Sequence, residues 1–331
     1  MKLIDKFYNK NKKFYRNYAD YGHYQTLKKY LDPDFIDPVR QSIEQPLDKN
    51  DPNDVRYHYM PDETYEDDYV ILKNKTNPLQ VWNGGPEIEY RWNRSGFRSQ
   101  HFENFNSNDT NILFSGCSWT FGDGLPDNMV WRSLLTNEIQ NKFPDKNVQQ
   151  YNLANGGDSI PLIFKNVLAF LRKYDGVDYV YILLPGFDRQ VCLDYKINNG
   201  NVGFRKVVYV SPEDSHIFNI PSVKKFAETY VLEESLYMVL PLIRAIEDIC
   251  QLKGIKLFWG SWLAHDQDVY KDFNFNNYVE IPIWEYYYSR EQTVDKEYYK
   301  IAGDGSHPGL KHMMEISDAF YKHTFKDDGA L

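Results

Sequence analysis

The sequence predicts a three-layer α/β domain built around a parallel sheet. Strands are expected at residues 112–116, 147–153, 178–184 and 255–260. The first of these is a short, bounded apolar run and the third is strongly β-prone, as is typical of buried strands. The stretches between them carry apolar residues at the 3.6-residue period of a helix. Strands separated by helices connect through right-handed crossovers, so we expect parallel strands with helices on both faces of the sheet.

Three of the four predicted helices have a start or stop signal in the sequence. The helices are expected from Asp127 or Asn128 to about Phe143, over 159–174, over 230–253, and after Pro308. Asp127 or Asn128 would cap the first of these helices, and Gly254 would end the third. Pro308 would lie in the first turn of the last helix. This succession indicates a flavodoxin-like strand order, with an edge strand near residues 278–283.

The pattern changes along the chain. Residues 1–108 are expected to form an irregular N-terminal extension that packs on the core, because prolines and aspartates interrupt any long element there. One exception is the alternation of polar and apolar residues at 87–92, which predicts a strand. The α/β domain is expected over residues 109–331, with an insertion of turns and short strands at about 190–229.

Composition argues against several classes of function. A net charge of −9 and a pI near 5.4 do not suit a nucleic-acid-binding protein, which needs a concentrated basic surface. No apolar run approaches the length of a membrane span, and no apolar segment of a signal peptide follows Met1. We therefore expect no membrane partner and a protein that is cytoplasmic, or associated with a virion if a phage encodes it.

The cysteines and histidines indicate neither disulfides nor a metal. The three cysteines have no framework spacing, which suits a reducing compartment. The histidines show no paired ligand spacing, so no metal site is predicted. Glycine-rich phosphate-binding and dinucleotide-binding patterns are missing as well, and no cofactor is expected.

The strongest chemical signal follows the first predicted strand. That strand ends at Gly116, and Ser118 comes directly after it, where open α/β sheets bind their ligands. Cys117 is a rival nucleophile, but adjacent residues at a strand end point in opposite directions, and small buried cysteines are common. Near the other end of the chain, Asp304 and His307 precede the last helix. At this spacing the carboxylate can orient the imidazole, which is the base half of a hydrolytic triad.

A strand-end serine early in the chain and an Asp-x-x-His-Pro run late in it resemble the SGNH (GDSL-like) hydrolases. The first block of that family carries the nucleophilic serine after a strand, and its last block is Asp-x-x-His. The resemblance covers about residues 93–325, including a Gly-Phe-Arg lead-in at 96–98. It implies an SGNH-type sheet, with Ser118 as nucleophile, His307 as base and Asp304 as the group that orients the base.

The resemblance also implies an oxyanion hole. Its first donor is the backbone N–H of Ser118, and its second is that of Gly157, which matches the glycine of the family's second block. The third block of the family is Gly-x-Asn-Asp, whereas this chain has Gly186-Phe187-Asp188-Arg189. An ionised Asp188 would repel the developing negative charge, and loss of one donor costs about 100- to 1000-fold in rate. Asn155 and Arg189 are the alternative donors.

The expected function is serine-dependent hydrolysis of a carboxylic ester through an acyl-enzyme. The aromatic content, with 27 Tyr and 20 Phe, favours an acetylated polysaccharide as substrate, since aromatic side chains can line carbohydrate grooves. One alternative is a catalytically impaired SGNH-fold protein that binds carbohydrate or serves in a virion. The altered third block favours that alternative, and the frequent Lys, Asn, Ile and Tyr hint at an AT-rich phage genome. The other alternative is an O-acyltransferase that passes the acyl group to a sugar.

Overall fold

The computed structural model describes twelve stretches of the chain: residues 34, 63–66, 69–74, 88–93, 95–187, 189, 192–198, 201–207, 232–273, 275–284, 302 and 307–326. The strands are β1 (Glu63–Glu66), β2 (Tyr69–Asn74), β3 (Ile88–Trp92), β4 (Thr110–Gly116), β5 (Val148–Asn152), β6 (Val177–Leu184), β7 (Cys192–Asn198), β8 (Asn201–Val207) and β9 (Lys256–Ser261). The helices are α1 (Ser118–Phe121), α2 (Trp131–Lys142), α3 (Ile160–Lys173), α4 (Leu232–Leu252), α5 (Ala264–Asp272) and α6 (Leu310–Thr324). Within these stretches, no helix has the length and apolar character needed to cross a membrane.

The central sheet has four parallel strands in the order β5-β4-β6-β9. Counted along the chain, this is the order 2-1-3-4, as in a flavodoxin-like sheet. The parallel sheet and its predicted strand order are confirmed. Strand β4 lies between two hydrogen-bonded neighbours and is buried from Asn111 to Gly116, as its continuous apolar run predicts.

The edge strand predicted near 278–283 is reduced to a single bridge. Tyr278 pairs in parallel with Trp259 of β9. The Trp259 N–H donates to the carbonyl of Asn277 over 3.1 Å, and the Val279 N–H donates to the carbonyl of Trp259 over 2.7 Å. This short segment therefore extends the sheet beyond β9 without forming a full strand.

Helices cover both faces of the sheet, which confirms the three-layer arrangement. On one face, α2 and α6 pack on β4 and β6 through Trp131, Leu135, Met313 and Phe320. On the other face, α3 and α4 pack through Ile163, Phe170, Val239 and Ile243. The strong amphipathic pattern of α3 and α4 places their apolar residues on this buried side.

Two predicted helix starts differ from the structure. Helix α2 begins at Trp131, with Val130 as N-cap, after a separate 3-10 turn at Asp127–Met129. Asp127 does not cap α2 because its carboxylate pairs with arginine side chains instead. Helix α6 begins at Leu310 with Gly309 as N-cap, so Pro308 precedes the helix rather than lying in its first turn.

Two smaller sheets accompany the central one. Strands β1, β2 and β3 form an antiparallel sheet within the region that shows little regular pattern in the sequence, and β3 is the strand expected from the alternation at 87–92. Strands β7 and β8 form an antiparallel hairpin in the predicted insertion. Ile88 of β3 belongs to the same buried cluster as β4 and α2, so the antiparallel sheet joins the core of the α/β domain.

We expect Gly260→Ala to lower the free energy of unfolding by about 1–3 kcal/mol, the usual cost of overpacking. A Cβ at Gly260 would lie 2.5 Å from the carbonyl oxygen of Val279 and 2.6 Å from Cγ1 of Ile281. Urea denaturation measures the change. Lys256→Ala, at the exposed start of the same strand, is the control and should change stability by less than about 1 kcal/mol. Equal stabilities of the two variants would contradict the close approach.

Candidate functional site

The carboxyl ends of the four parallel strands meet at one edge of the sheet, and Ser118 lies there. It is the first residue of the one-turn helix α1, two residues after β4 ends. Its exposed fraction is 7%. The chain makes a tight turn here, because the Gly122 N–H and the Asp123 N–H both donate to the carbonyl of Ser118, over 2.8 and 3.1 Å.

The hydroxyl of Ser118 has one hydrogen-bond neighbour among the described residues, the sulfur of Cys117 at 4.0 Å. Cys117 is fully buried and belongs to the apolar core. Residue Ser118 keeps 7% of its surface exposed, whereas Cys117 has none. Of the two adjacent side chains, Ser118 is therefore the more accessible.

Two backbone N–H groups at this edge lack acceptors within the described part of the chain. Ser118 is the first residue of its helix, where an N–H has no partner in the helix, and it donates to no other described group. Gly157, in the loop after β5, likewise donates to none. Gly157 has φ of 76°, and a Cβ on it would meet nothing within 4 Å. Both N–H groups can therefore donate to a ligand.

The carbonyl groups that follow Ser118 are held by the buried side chain of Arg98. One of its terminal nitrogens donates to the carbonyls of Phe121 and Gly122, over 3.1 and 2.9 Å. The other donates to the carbonyl of Leu125 over 2.9 Å and to that of Glu89 over 3.1 Å. Burial lowers the pKa of the Arg98 guanidinium, while the nearby carboxylate of Asp127 opposes this effect.

A second buried arginine completes the support. The Nε of Arg132 donates to the carbonyl of Thr120 over 3.1 Å, and its terminal nitrogens bind Asp127 and Gln150. Asp127 also lies 3.3 Å from the Nε of Arg98. Burial alone would raise the pKa of Asp127, but Arg132 and Arg98 together hold that pKa below its usual value. We refer to Arg98, Arg132 and Asp127 as the arginine clamp.

Strand β3 packs against the same turn. The hydroxyl of Tyr90 accepts a hydrogen bond from the Gly124 N–H over 2.8 Å. Its ring stacks on Phe121, with centroids 5.7 Å apart, and lies 4.5 Å from the Arg98 guanidinium. Residues from outside the parallel sheet thus fix the turn that begins at Ser118.

A buried aromatic cluster lies beside Ser118 on the side of α6. Trp119 stacks on Trp262, with centroids 4.5 Å apart, and meets Trp284 edge-on at 5.7 Å. It also meets the ring of His312 at 5.5 Å. His312 is in the first turn of α6, so this contact places the start of α6 next to the Ser118 turn. His307 precedes that helix by three residues and is half-buried.

His312 is a histidine that the sequence analysis did not single out. Its Nδ1 lies 3.0 Å from a carboxylate oxygen of Glu315, and its buried Nε2 has no hydrogen-bond partner. Burial lowers the pKa of His312, and the Glu315 carboxylate opposes this only in part. The ring therefore packs against Trp119 mainly in its neutral form at neutral pH.

The structure brings together only part of the predicted site. Ser118 and Gly157 lie at the same edge, and His307 lies on the approach to α6, but Ser118 and His307 do not hydrogen-bond to each other. The carbonyl of His307 accepts from the Ala302 N–H over 2.8 Å. Asp304 and Asp188 lie outside the described residues.

Both alternative oxyanion donors lie in loops at this edge. The side-chain amide of Asn155 donates weakly to Asp158 and to the carbonyl of Leu153, over 3.4 and 3.5 Å. The guanidinium of Arg189 lies 5.5 Å from the ring of Trp262. Gly157 follows β5 and Arg189 follows β6, and these strands flank β4 on opposite sides. In the described part of the chain, no three His, Cys, Asp or Glu side chains cluster as metal ligands would.

Comparisons with known proteins gave structural matches alone. No protein-family model matches the sequence, and no curated protein matches it. The solved structures found include TesA, which is 14% identical with a TM-score of 0.38 over 65% of this chain and 97% of its own. A member of the lipolytic G-D-S-L family from Veillonella parvula is 11% identical, with a TM-score of 0.33 over 67% and 100%. An acetyl xylan esterase from Geobacillus stearothermophilus is 12% identical, with a TM-score of 0.35 over 66% and 96%. These TM-scores are low, so the assignment of function depends on the residues of this chain.

Sequence reasoning missed most of the arginine clamp. The sequence marks Arg98 only as part of a Gly-Phe-Arg run and predicts that Asp127 caps a helix. Arg132 follows Trp131 at the start of an apolar helix face, and its burial is the unusual feature, since buried arginines need partners. A charged residue among apolar core positions is the feature of the sequence that indicates a buried arginine. Its partners are backbone carbonyls, which cannot be identified from a sequence pattern.

We expect Arg98→Lys to lower the free energy of unfolding by about 2–4 kcal/mol. Lysine keeps the charge, but one ammonium group cannot reach four separated carbonyls. Each buried carbonyl left without a donor costs about 1–3 kcal/mol, and a water molecule that binds the carbonyl lowers this cost. Arg172→Lys is the matched control, because that arginine is exposed and pairs with Asp34 across the surface. The control should stay within about 0.5 kcal/mol of the parent in urea denaturation. An equally small change in the free energy of unfolding for Arg98→Lys would show that these hydrogen bonds of Arg98 do not stabilise the protein.

The clamp should also give stability a defined dependence on pH. The folded-state pKa of Asp127 is lowered, so its contribution is complete above the unfolded pKa of about 4 and is lost as pH falls through the folded value. We expect the parent to exceed Asp127→Asn in unfolding free energy by a constant amount from pH 8 to pH 5. That difference should shrink below about pH 4. Denaturation at fixed pH values measures it, and a difference that persists at pH 2 would refute the ionic contribution.

Proposed function

We propose that the protein is a serine-dependent carboxylic ester hydrolase of the SGNH type. The observation that carries this proposal is the placement of Ser118. It begins a one-turn helix at the carboxyl end of a central parallel strand, with its own N–H and that of Gly157 free of described acceptors. A nucleophile flanked by two such donors suits acyl transfer, in which negative charge develops on a carbonyl oxygen.

The reaction would proceed in two steps. The Ser118 hydroxyl attacks the ester carbonyl carbon while His307 takes its proton, and the carbonyl oxygen becomes an oxyanion bound by the N–H groups of Ser118 and Gly157. The tetrahedral intermediate then collapses, and the alcohol departs with the proton from His307. Water, deprotonated by His307, attacks the acyl-enzyme and releases the acid and free Ser118.

The base and the third oxyanion donor complete the proposed site. His307 must approach Ser118 from the α6 side, where the Trp119–His312 contact places the start of that helix. The hydrogen bond between a nucleophile and its base is often long without substrate. Asp304 would fix the imidazole tautomer, and Arg189 or Asn155 would supply the third oxyanion donor in place of the family's asparagine.

The acyl group is proposed to be small, with an acetyl ester on a polysaccharide as the favoured substrate. Ser118 has little exposed surface, and the neighbouring Trp119, Trp262 and Trp284 are all nearly fully buried. Their rings pack on one another next to Ser118, which favours a small acyl group. The aromatic surplus noted in the sequence supports a carbohydrate as the group that carries the ester.

We expect a fluorophosphonate probe to label the protein at Ser118 and Ser118→Ala to lose both labelling and turnover of p-nitrophenyl acetate. Loss of the nucleophile should lower kcat by about 10⁴-fold or more. His307→Asn should reduce the rate of labelling without unfolding the protein. Peptide mapping by mass spectrometry locates the label, and initial rates measure turnover.

Ser107→Ala is the matched control, because Ser107 is an exposed serine in the loop before β4. It should label and turn over like the parent. Hydrolysis by Ser118→Ala at the parental rate, or a label on another residue, would remove Ser118 from the mechanism. A circular dichroism spectrum shared by all variants separates lost chemistry from lost folding.

A further inference from the structure

We propose that a groove along the outer edge of β5 binds a neutral polyhydroxyl chain, such as an oligosaccharide. The groove has a volume of about 820 Å³, within the range of ligand-binding clefts, about 300–1,000 Å³. It extends beside β5 from Val148 to Asn152 and reaches Pro126 and Asn128, which follow the Ser118 turn. Asn152 ends β5 at the carboxyl edge, so the groove opens next to the proposed catalytic site.

The lining of this groove is rich in side chains that both donate and accept hydrogen bonds. Five of its residues are carboxamides: Gln100, Asn128, Gln149, Gln150 and Asn152. The amide groups of Asn152 and Gln150 are bonded within the protein, so Asn128 and the carbonyl oxygen of Gln149 are the groups of this set that a ligand can reach. A carboxamide both donates and accepts, which matches a sugar hydroxyl. The Nε2 of Gln100 is buried without a hydrogen-bond partner, so the protein leaves one further donor of the lining unused.

The two buried arginines of the groove are engaged by the protein itself. The terminal nitrogens of Arg98 donate to backbone carbonyls, and those of Arg132 bind Asp127 and Gln150. Terminal nitrogens that are already bonded cannot form a fork-like two-point contact with a phosphate or carboxylate. The exposed Arg91 lies 3.7 Å from Glu89. The groove therefore offers an anionic ligand few free charged donors. Its amide groups can bind a neutral ligand equally well.

A peptide strand is disfavoured because the exposed edge of β5 is capped. The Val148 N–H donates to the side chain of Gln140 over 3.1 Å, and the Asn152 N–H donates to the hydroxyl of Ser99 over 3.0 Å. An added strand would need these outward-facing groups for pairing. The walls also lack a pocket for an apolar side chain, since Val148 and Pro126 are the apolar residues in the lining.

Binding is tested by isothermal titration of the parent protein with four neutral hexasaccharides: xylohexaose, cellohexaose, maltohexaose and N-acetylchitohexaose. We expect at least one to bind with Kd of about 1 mM or tighter. Asn128→Ala and Gln149→Ala should each raise that Kd by about 2- to 10-fold, as expected for one lost hydrogen bond. Gln251→Ala is the matched control, because Gln251 is exposed at the end of α4, away from the groove.

Each outcome decides the proposal. It is overturned if none of the four hexasaccharides binds at 10 mM, or if the groove variants and Gln251→Ala change Kd equally. Tighter binding of a hexagalacturonate or of an extended peptide, lost in the same groove variants, would also overturn it. The link to catalysis rests on the proposed ester hydrolase. The oligosaccharides carry no ester, so a failure of Ser118 labelling would leave a positive binding result intact.

Discussion

The position of Ser118 depends on the satisfaction of a few backbone carbonyls. Helix α1 is only one turn long, so the carbonyl groups of Thr120 and Phe121 have no following turn to accept from, whereas the carbonyl of Gly122 accepts from the Leu125 N–H over 3.2 Å. Two buried arginines donate to all three carbonyls, and both arginines are paired with Asp127. Removing either arginine would leave buried carbonyl groups without a donor. An unsatisfied buried acceptor costs more free energy than its hydrogen bond contributes. The turn is therefore held by side chains from elsewhere in the chain and not by its own helix.

This dependence explains why the region before β4 belongs to the functional unit. Arg98 lies in the segment between β3 and β4, and Tyr90 of β3 both bonds to the Gly124 N–H and stacks on Phe121. The turn is thus enclosed by the antiparallel sheet on one side and by Trp119, Trp262 and α6 on the other. A parallel sheet alone would supply the strand end, but it would leave the turn after it free to move.

The fold could be predicted largely from the sequence, because strands such as β4 and β6 are continuous apolar runs and α3 is strongly amphipathic. Local patterns of this kind determine which faces are buried, and the crossover rule then fixes parallel pairing. The site was predicted less completely. Ser118 and Gly157 follow strands whose ends must meet, but Arg132 and the Trp119–Trp262 contact arise from residues far apart in sequence. Such contacts leave no periodic signal, which is also why Asp127 was mistaken for a helix cap.

Asp127 connects the two surfaces of interest. It binds both arginines that hold the Ser118 turn, and with 48% of its side chain exposed it also forms part of the wall of the β5 groove. A chain bound in that groove lies against the same carboxylate that neutralises the clamp. Any ligand that altered the pairing of Asp127 with Arg98 or Arg132 would alter the support of Ser118, and by thermodynamic linkage occupation of the Ser118 site would alter binding in the groove by the same factor. The clamp is therefore the structural element through which the groove and Ser118 can affect each other.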